Sequence, residues 1–221
     1  MKIKEITLKS SEEIRVLEQA VNFLNKRLFD NELSKIKITI QADTGTKCLS
    51  YGWASCGRWR KGEDKAHELN ITANSLKRPF NEIWITLVHE LIHIYAFCKG
   101  DEKGATSRQG RYHGKEFKKL CDKFFLITEK EKTIGYITPH QKMMKEQKAL
   151  YTEFKKNCKA DFSRLFKYER PLEIDEGKTA VRVSRTSTYF CKCCDIKFTA
   201  MKDLKLICAL CEEAFEEIQK K

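Results

Sequence analysis

No run of apolar residues in this 221-residue chain approaches the ~18 that a membrane-spanning helix needs. The amino terminus, Met1-Lys2-Ile3-Lys4-Glu5-Ile6, also lacks the apolar core of a secretory leader. These absences predict a soluble, cytoplasmic protein with no membrane partner. No internal repeat or low-complexity tract is visible, so neither a solenoid nor a long disordered linker is expected. Acidic residues are in deficit, 31 against 43 Lys and Arg, which leaves a net charge of +12. That balance favours an anionic partner, with nucleic acid first. Histidine is scarce at five, whereas cysteine is plentiful at ten. In a reducing compartment, clustered cysteines more often bind metal than form disulfides. With 41% hydrophobic residues the chain has enough apolar surface for one medium domain and a small module.

Four of the apolar segments carry helical periodicity. Residues 11–29 place Ile14, Leu17, Val21, Leu24 and Leu28 on one face, with Glu12 and Glu13 in the first turn. Ile36, Ile38 and Ile40 alternate with polar residues and predict a strand; residues 51–60 and Glu68–Thr72 predict two more. Pro79 precedes a long apolar helix from about Asn81 to Cys98, and a further helix is predicted from about His113 to Phe125. From about 140 to 170, Tyr151, Phe154, Cys158, Phe162 and Leu165 recur at helical steps until Pro171. Nine Lys and Arg against four Asp and Glu make the stretch from Lys142 to Arg170 basic.

The long apolar helix contains His89-Glu90-Leu91-Ile92-His93. Residues four apart lie on one helical face, so His89 and His93 can offer two imidazole nitrogens to a single ion. Glu90 lies about 100° round the helix, placed to serve as a general base without being a ligand. Two His and a Glu are costly to bury unpaired, and a metal removes that cost. A catalytic zinc needs a third protein ligand and an open position. His113, in Tyr112-His113-Gly114, is the favoured third ligand, with Glu116 as competitor; His67 is expected on a strand. Near the carboxyl terminus, Cys208 and Cys211 form a Cys-x-x-Cys pair. Cys191 can pair with either Cys193 or Cys194, and two such pairs around a hairpin make a tetrahedral Cys₄ zinc site.

From His67-Glu68-Leu69-Asn70-Ile71 through His89–His93 to His113-Gly114-Lys115-Glu116-Phe117, the chain resembles the SprT-like metalloprotease domain, the catalytic domain of Spartan-type DNA–protein crosslink proteases. The resemblance covers residues 10 to about 127. It implies that His89, His93 and His113 hold a catalytic zinc and that Glu90 is the catalytic residue. Tyr112 stands where a Gly often precedes the third His, and the loop 99–112 is long. The family's Tyr-x-Cys-x-Cys group implies Cys191, Cys193, Cys208 and Cys211 as the structural zinc ligands; plain knuckle spacing would put Cys194 in place of Cys193. The chain's end at Lys221 fits a compact bacterial or phage-like member of the family.

The resulting expectation is an α+β fold. Residues 1–138 form a small zincin-type metalloprotease domain with a His-Glu-x-x-His helix and a short three-stranded sheet. Residues 139–180 form a basic helical connector, and 181–221 a zinc ribbon. The expected function is zinc-dependent endopeptidase action on DNA-bound or DNA-crosslinked proteins, with one catalytic and one structural zinc, and nucleoid association through DNA. Lys155, Lys159, Arg182, Arg185 and Tyr189 are the predicted nucleic-acid contacts, the cations on phosphates and exposed aromatics on bases. Tyr112, Arg111 and Tyr136 are candidate oxyanion donors, and the strand Glu68–Thr72 is a candidate edge for an extended substrate. The rival reading is a nucleic-acid-binding zinc protein without protease activity. An intact Glu90 speaks against it, because a purely structural site needs no general base.

Overall fold

The apolar stripe of the first predicted helix is the face that α1 (Ser11–Arg27) buries: Leu17, Val21 and Leu24, with Val16 and Ala20, are inaccessible or nearly so. The computed structural model describes residues 11–43, 50–101, 106–107, 112–162, 165–171 and 186–218. They fall into two compact units, Met1–Leu172 and Glu173–Lys221.

In the first unit, β1 (Ile36–Gln41) pairs in parallel with β3 (Asp64–Thr72), and β2 (Gly52–Lys61) pairs antiparallel with the other side of β3. The strand predicted as an edge, Glu68–Thr72, is therefore the central one. Its backbone groups are used on both sides, and the outer strands are β1 and β2. A partly buried polar row stiffens this sheet: Thr39 Oγ1 lies 3.0 Å from both Glu68 Oε1 and Asn70 Oδ1, and Gln41 Nε2 donates to Glu68 at 2.7 Å.

Helix α2 (Phe80–Cys98) packs on the sheet and is buried on almost every side, as a helix apolar all round must be. Beyond it, four short strands form a second sheet in the order β4-β5-β7-β6: β4 (Thr106–Ser107), β5 (Tyr112–His113), β6 (Glu129–Glu131) and β7 (Gly135–Ile137). Helix α3 (Lys115–Lys123) follows β5 and buries Phe117 and Cys121.

The predicted helix from 140 to 170 is shorter, and it does not stand apart as a connector. It is α4 (Lys145–Asn157), and it belongs to the core of the first unit. Phe154 packs among Phe23, Phe80, Trp84 and Phe162, with ring centroids 5.3–6.3 Å apart. Gln147, fully buried, accepts from Trp84 Nε1 at 2.9 Å and donates to the Phe124 carbonyl at 2.7 Å. Both ends of its amide are satisfied, so a polar residue in the core costs little. No helix among the described residues is long and apolar enough to cross a membrane.

The second unit is a three-stranded antiparallel sheet of β8 (Thr186–Cys191), β9 (Ile196–Met201) and β10 (Glu216–Ile218), with β8 central. Its core is small. Tyr189 is fully buried, donates to the Met201 carbonyl at 2.7 Å and accepts from the Leu204 N–H at 2.9 Å.

Because α4 is core and not connector, Phe154→Ala is expected to destabilise the first unit by about 3–5 kcal/mol, read as a lower urea midpoint. A helix that only bridged two modules would show almost no change.

Candidate active site and a second metal centre

His89 and His93 lie one turn apart on α2, with Glu90 between them. The third histidine reaches them from a strand and not, as predicted, from the start of a helix: His113 ends β5, and Gly114 precedes α3. Its position is set by β7. The His113 N–H donates to the Ile134 carbonyl at 3.0 Å, and its backbone pairs with Gly135. Gly135 has φ +84°, and a Cβ there would lie 2.2 Å from the His113 carbonyl oxygen, so only glycine permits this approach. Glu116, the competing ligand, is exposed and paired with Lys119 at 2.8 Å. His67 is buried on β3, away from this group, and bonds Ser34.

The Nε2 atoms of the three histidines converge. His89 and His93 are 3.3 Å apart, His93 and His113 3.1 Å, and all three lie within 4.8 Å of one another. Four-coordinate zinc with Zn–N bonds of about 2.0–2.1 Å sets neighbouring nitrogens about 3.3 Å apart, so the donor set fits zinc in type and spacing. His89 Nδ1 sits 2.9 Å from Thr138 Oγ1. With the Nδ1 proton donated to that hydroxyl, the Nε2 lone pair faces the centre, the usual outer-shell arrangement of a metal-bound histidine. Burial, then the neighbouring histidines, pushes the His89 pKa well below its ordinary value, and the same causes take His113 down to about 3. His113 Nδ1 is buried without a hydrogen-bond partner among the described residues. Phe117 floors the group, its ring 4.2–4.9 Å from each imidazole.

Glu90 is 6% exposed. Burial raises its pKa to about 8, opposed by a hydrogen bond from the Ala54 backbone of β2. The helix can sit this close to β2 because residue 52 is glycine; a Cβ there would lie 2.6 Å from the Asn70 carbonyl and 3.0 Å from Thr86 Cγ2. One turn before Glu90, Thr86 Oγ1 donates to the Glu82 carbonyl at 3.1 Å and receives Arg78 Nη1 at 3.2 Å. His140 Nδ1 lies 3.4 Å from the same hydroxyl, with its ring 6.3 Å from that of His89. Four of the chain's five histidines thus lie at this site. Tyr112 and Tyr136 stand on the strands that carry and flank His113, and Arg111 lies outside the described residues. Sequence reasoning missed Thr138, Gly135 and His140, which no local spacing ties to His89.

In the second unit, Cys191, Cys194, Cys208 and Cys211 bring their sulfurs within 4.8 Å of one another. Cys191 and Cys211 are 3.5 Å apart, and Cys208 and Cys194 3.9 Å. Zn–S bonds of about 2.3 Å require about 3.75 Å between sulfurs in a tetrahedron, so this set also fits zinc. Cys193, favoured by the resemblance, is corrected to Cys194. The backbone N–H groups of Cys193 and Cys194 both bond the Cys191 sulfur, which turns the Cys193 side chain outward, where it is exposed. The other arm repeats this pattern: the N–H groups of Leu210 and Cys211 bond Cys208 and lower its pKa to about 7, against the effect of burial.

The predicted nucleic-acid contacts fare unevenly. Tyr189 is corrected: it is the buried centre of its sheet, its hydroxyl doubly bonded, and it has no face for a base. Lys155 is exposed on the last turn of α4, over the rings of Tyr151 and Phe162 at 5.6 and 5.3 Å. Lys159 is exposed just past the helix, and Arg182 and Arg185 lie outside the described residues.

A family model described as the SprT-like family matches residues 17–134, more than half of the chain and inclusive of all three converging histidines. No curated protein and no solved structure matches the chain.

Two outcomes are expected of metal titrations. Thr138→Val, which keeps the shape but removes the hydroxyl beside His89, weakens zinc at the histidine site by about 10–100-fold in competition with a chelator. Cys194→Ser lowers the zinc content by one ion per chain, whereas Cys193→Ser leaves it unchanged.

Proposed function

The chain belongs to the SprT-like family, and from that premise we propose that it is a zinc-dependent endopeptidase acting on DNA-bound or DNA-crosslinked proteins. The observation that carries the reading is the convergence of three Nε2 atoms with a buried carboxylate at the next helical position. A structural zinc would need no such carboxylate. Zinc held by His89, His93 and His113 would supply Lewis-acid polarisation where the scissile carbonyl is seated.

The chain's own residues account for the rest of the chemistry. Glu90 takes a proton from the attacking water and returns it to the leaving amine. Burial alone pushes its pKa up to about 8, and a cation held by the neighbouring histidines would draw it back toward the ionised form that accepts a proton. Thr138 fixes the His89 ring, and Gly135 lets β7 fix His113. The substrate edge moves from β3 to β2, which runs beside Glu90 and has no partner strand on its outer side among the described residues. An extended polypeptide can pair there by main-chain hydrogen bonds, which read no side chain and suit substrates of varied sequence.

DNA direction rests on charge. A net +12 is spread over a chain whose predicted substrates are themselves attached to a polyanion. The Cys₄ unit is the second zinc site of the proposal, structural because four thiolates leave no open position.

The deciding experiment follows cleavage of a protein crosslinked to DNA, with and without added single-stranded DNA. Wild type is expected to cleave, faster with DNA. Glu90→Gln, which keeps volume but cannot take up the proton, should lose about 10²–10⁴-fold in rate with zinc content unchanged. Equal rates for the two proteins would remove Glu90 from the mechanism, and no cleavage by zinc-loaded wild type under any condition would sink the peptidase reading.

A further inference from the structure

The β2–β3 hairpin extends past the body of its sheet to a two-residue turn at Gly62-Glu63. Its tip carries Arg58, Arg60, Lys61 and Lys65, all exposed, against Glu63 and Asp64. Asp64 is already paired with Lys35 of the segment leading into β1. None of Arg58, Arg60, Lys61 and Lys65 has an ion pair among the described residues. In their midst stands Trp59, 38% exposed, with Lys37 Nζ 3.7 Å from its ring centroid. An indole left this accessible among cations is placed as a recognition surface would be; a merely solvated face needs no aromatic.

The tip is held to the body of the unit. Ser55 faces Glu68 and Trp59 faces Ala66, so residues 56–58 bulge opposite His67. Gly57, at φ +62°, makes the bulge, and its N–H donates to His67 Nδ1 at 3.2 Å. With Nδ1 accepting, the imidazole proton is on Nε2, which donates to Ser34 Oγ at 2.7 Å. A bulge sharpens strand twist and re-aims the residues beyond it. Here His67 fixes that re-aimed segment against the chain before β1, which explains a buried histidine the metal centre does not use.

We propose that this hairpin tip, residues 58–65 with Lys37, is a binding site for single-stranded nucleic acid. Trp59 is the stacking platform, and Arg58, Arg60, Lys61 and Lys65 take the phosphates. Cations interleaved with an accessible aromatic suit an unpaired strand, whose bases have free π-faces; a duplex has none to offer. A lipid surface would need more apolar contact than one indole gives. β2 runs from Gly52, beside Glu90, to Lys61 at the tip, at most about 30 Å at about 3.3 Å per residue. A strand bound at the tip therefore keeps an attached protein within reach of the same β-strand that borders the active site. This use of the site rests on the proposed DNA-directed proteolysis, but binding is measured without any cleavage.

The test uses the full zinc-loaded chain and a fluorescent oligo(dT) of about fifteen nucleotides, followed by anisotropy across a salt series. Trp59→Ala is expected to weaken binding at least fivefold. The combined Arg58→Ala, Arg60→Ala and Lys61→Ala variant should weaken it and reduce the log–log salt slope by about 2, since each single-strand phosphate left unneutralised removes ~0.7 from that slope. Wild type photocrosslinked to a bromodeoxyuridine-containing strand should yield adducts on the peptide carrying Trp59, a result independent of any variant's folding. Crosslinks confined to other segments, with both variants binding as wild type does, would overturn the hairpin site and leave the peptidase reading intact. Unaltered binding by Trp59→Ala together with equal competition by duplex DNA or heparin would reduce the tip to a plain basic surface and also overturn the proposal. Absence of oligo(dT) binding at low salt would overturn it as well and take DNA out of the proposed function, while the Glu90→Gln comparison on an uncrosslinked protein would still decide proteolysis.

Discussion

Three imidazole nitrogens facing one another, neighbours 3.1 and 3.3 Å apart, are the constraint on which the first unit is organised. Their lone pairs repel, burial denies them water, and protonation would set like charges in contact. A cation between them turns the same geometry into a bonding one. Each surrounding feature follows from the need to keep this group in register. Thr138 orients one ring, Phe117 packs beneath all three, and Gly135 admits the strand that brings the third. α2 is held on its far side by Trp84, bonded to the buried Gln147 of α4. A metal site on a helix is only as exact as the helix's own packing, which gives α4 its place in the core.

The second unit meets the same requirement with less protein. It has a buried Tyr189, two buried cysteines and little else by way of a core, and Ile207 and Leu210 beside the Cys208 arm are largely exposed. Its fold therefore depends on four sulfurs being held together, and a metal bound there would contribute its binding free energy to folding. The first unit has a large apolar core of its own, so an ion there would serve the proposed chemistry more than the fold. The same element, in the same chain, would thus act through two different links between structure and function.

How much of this was legible in the sequence depended on how far apart the partners lie. His89, Glu90 and His93 are within one turn, so helical geometry alone relates them. Cys208 and Cys211 are likewise local. The α+β class, the order of the four helices and the first three strands, and the stripe of α1 also followed from periodicity; the second sheet did not, because its strands β4 to β7 are only two or three residues long and show no alternation. Thr138 lies 49 residues from His89, and Gly135 22 from His113; only the tertiary fold shows that a hydroxyl and a missing Cβ belong to the site. The central place of β3 was hidden because a short apolar strand reads alike at an edge and at a centre. Tyr189 looked available because it neighbours Cys191, yet strand alternation turns it inward. The choice between Cys193 and Cys194 was made by backbone amides, which spacing counts do not see. The length of α4 was overread because Phe162 and Leu165 join the same aromatic cluster from beyond the helix, imitating its period.

β2 joins the chemistry to the surface. At one end the absence of a side chain at Gly52 lets α2 approach until Ala54 can bond Glu90; at the other, the bulge at Gly57, pinned by His67, carries Trp59 and its cations outward. Between them the strand is paired to β3, whose Glu68 and Asn70 are cross-linked to β1 by Thr39 and Gln41. Such a satisfied polar network resists shear as well as opening, since each member loses its partners if a strand slides. Ala54, whose backbone bonds the carboxylate of the proposed chemistry, and Trp59, the aromatic that would meet the nucleic acid, are therefore set on one stiffened strand. Their spacing is fixed by its residue count, with no flexible linker between them.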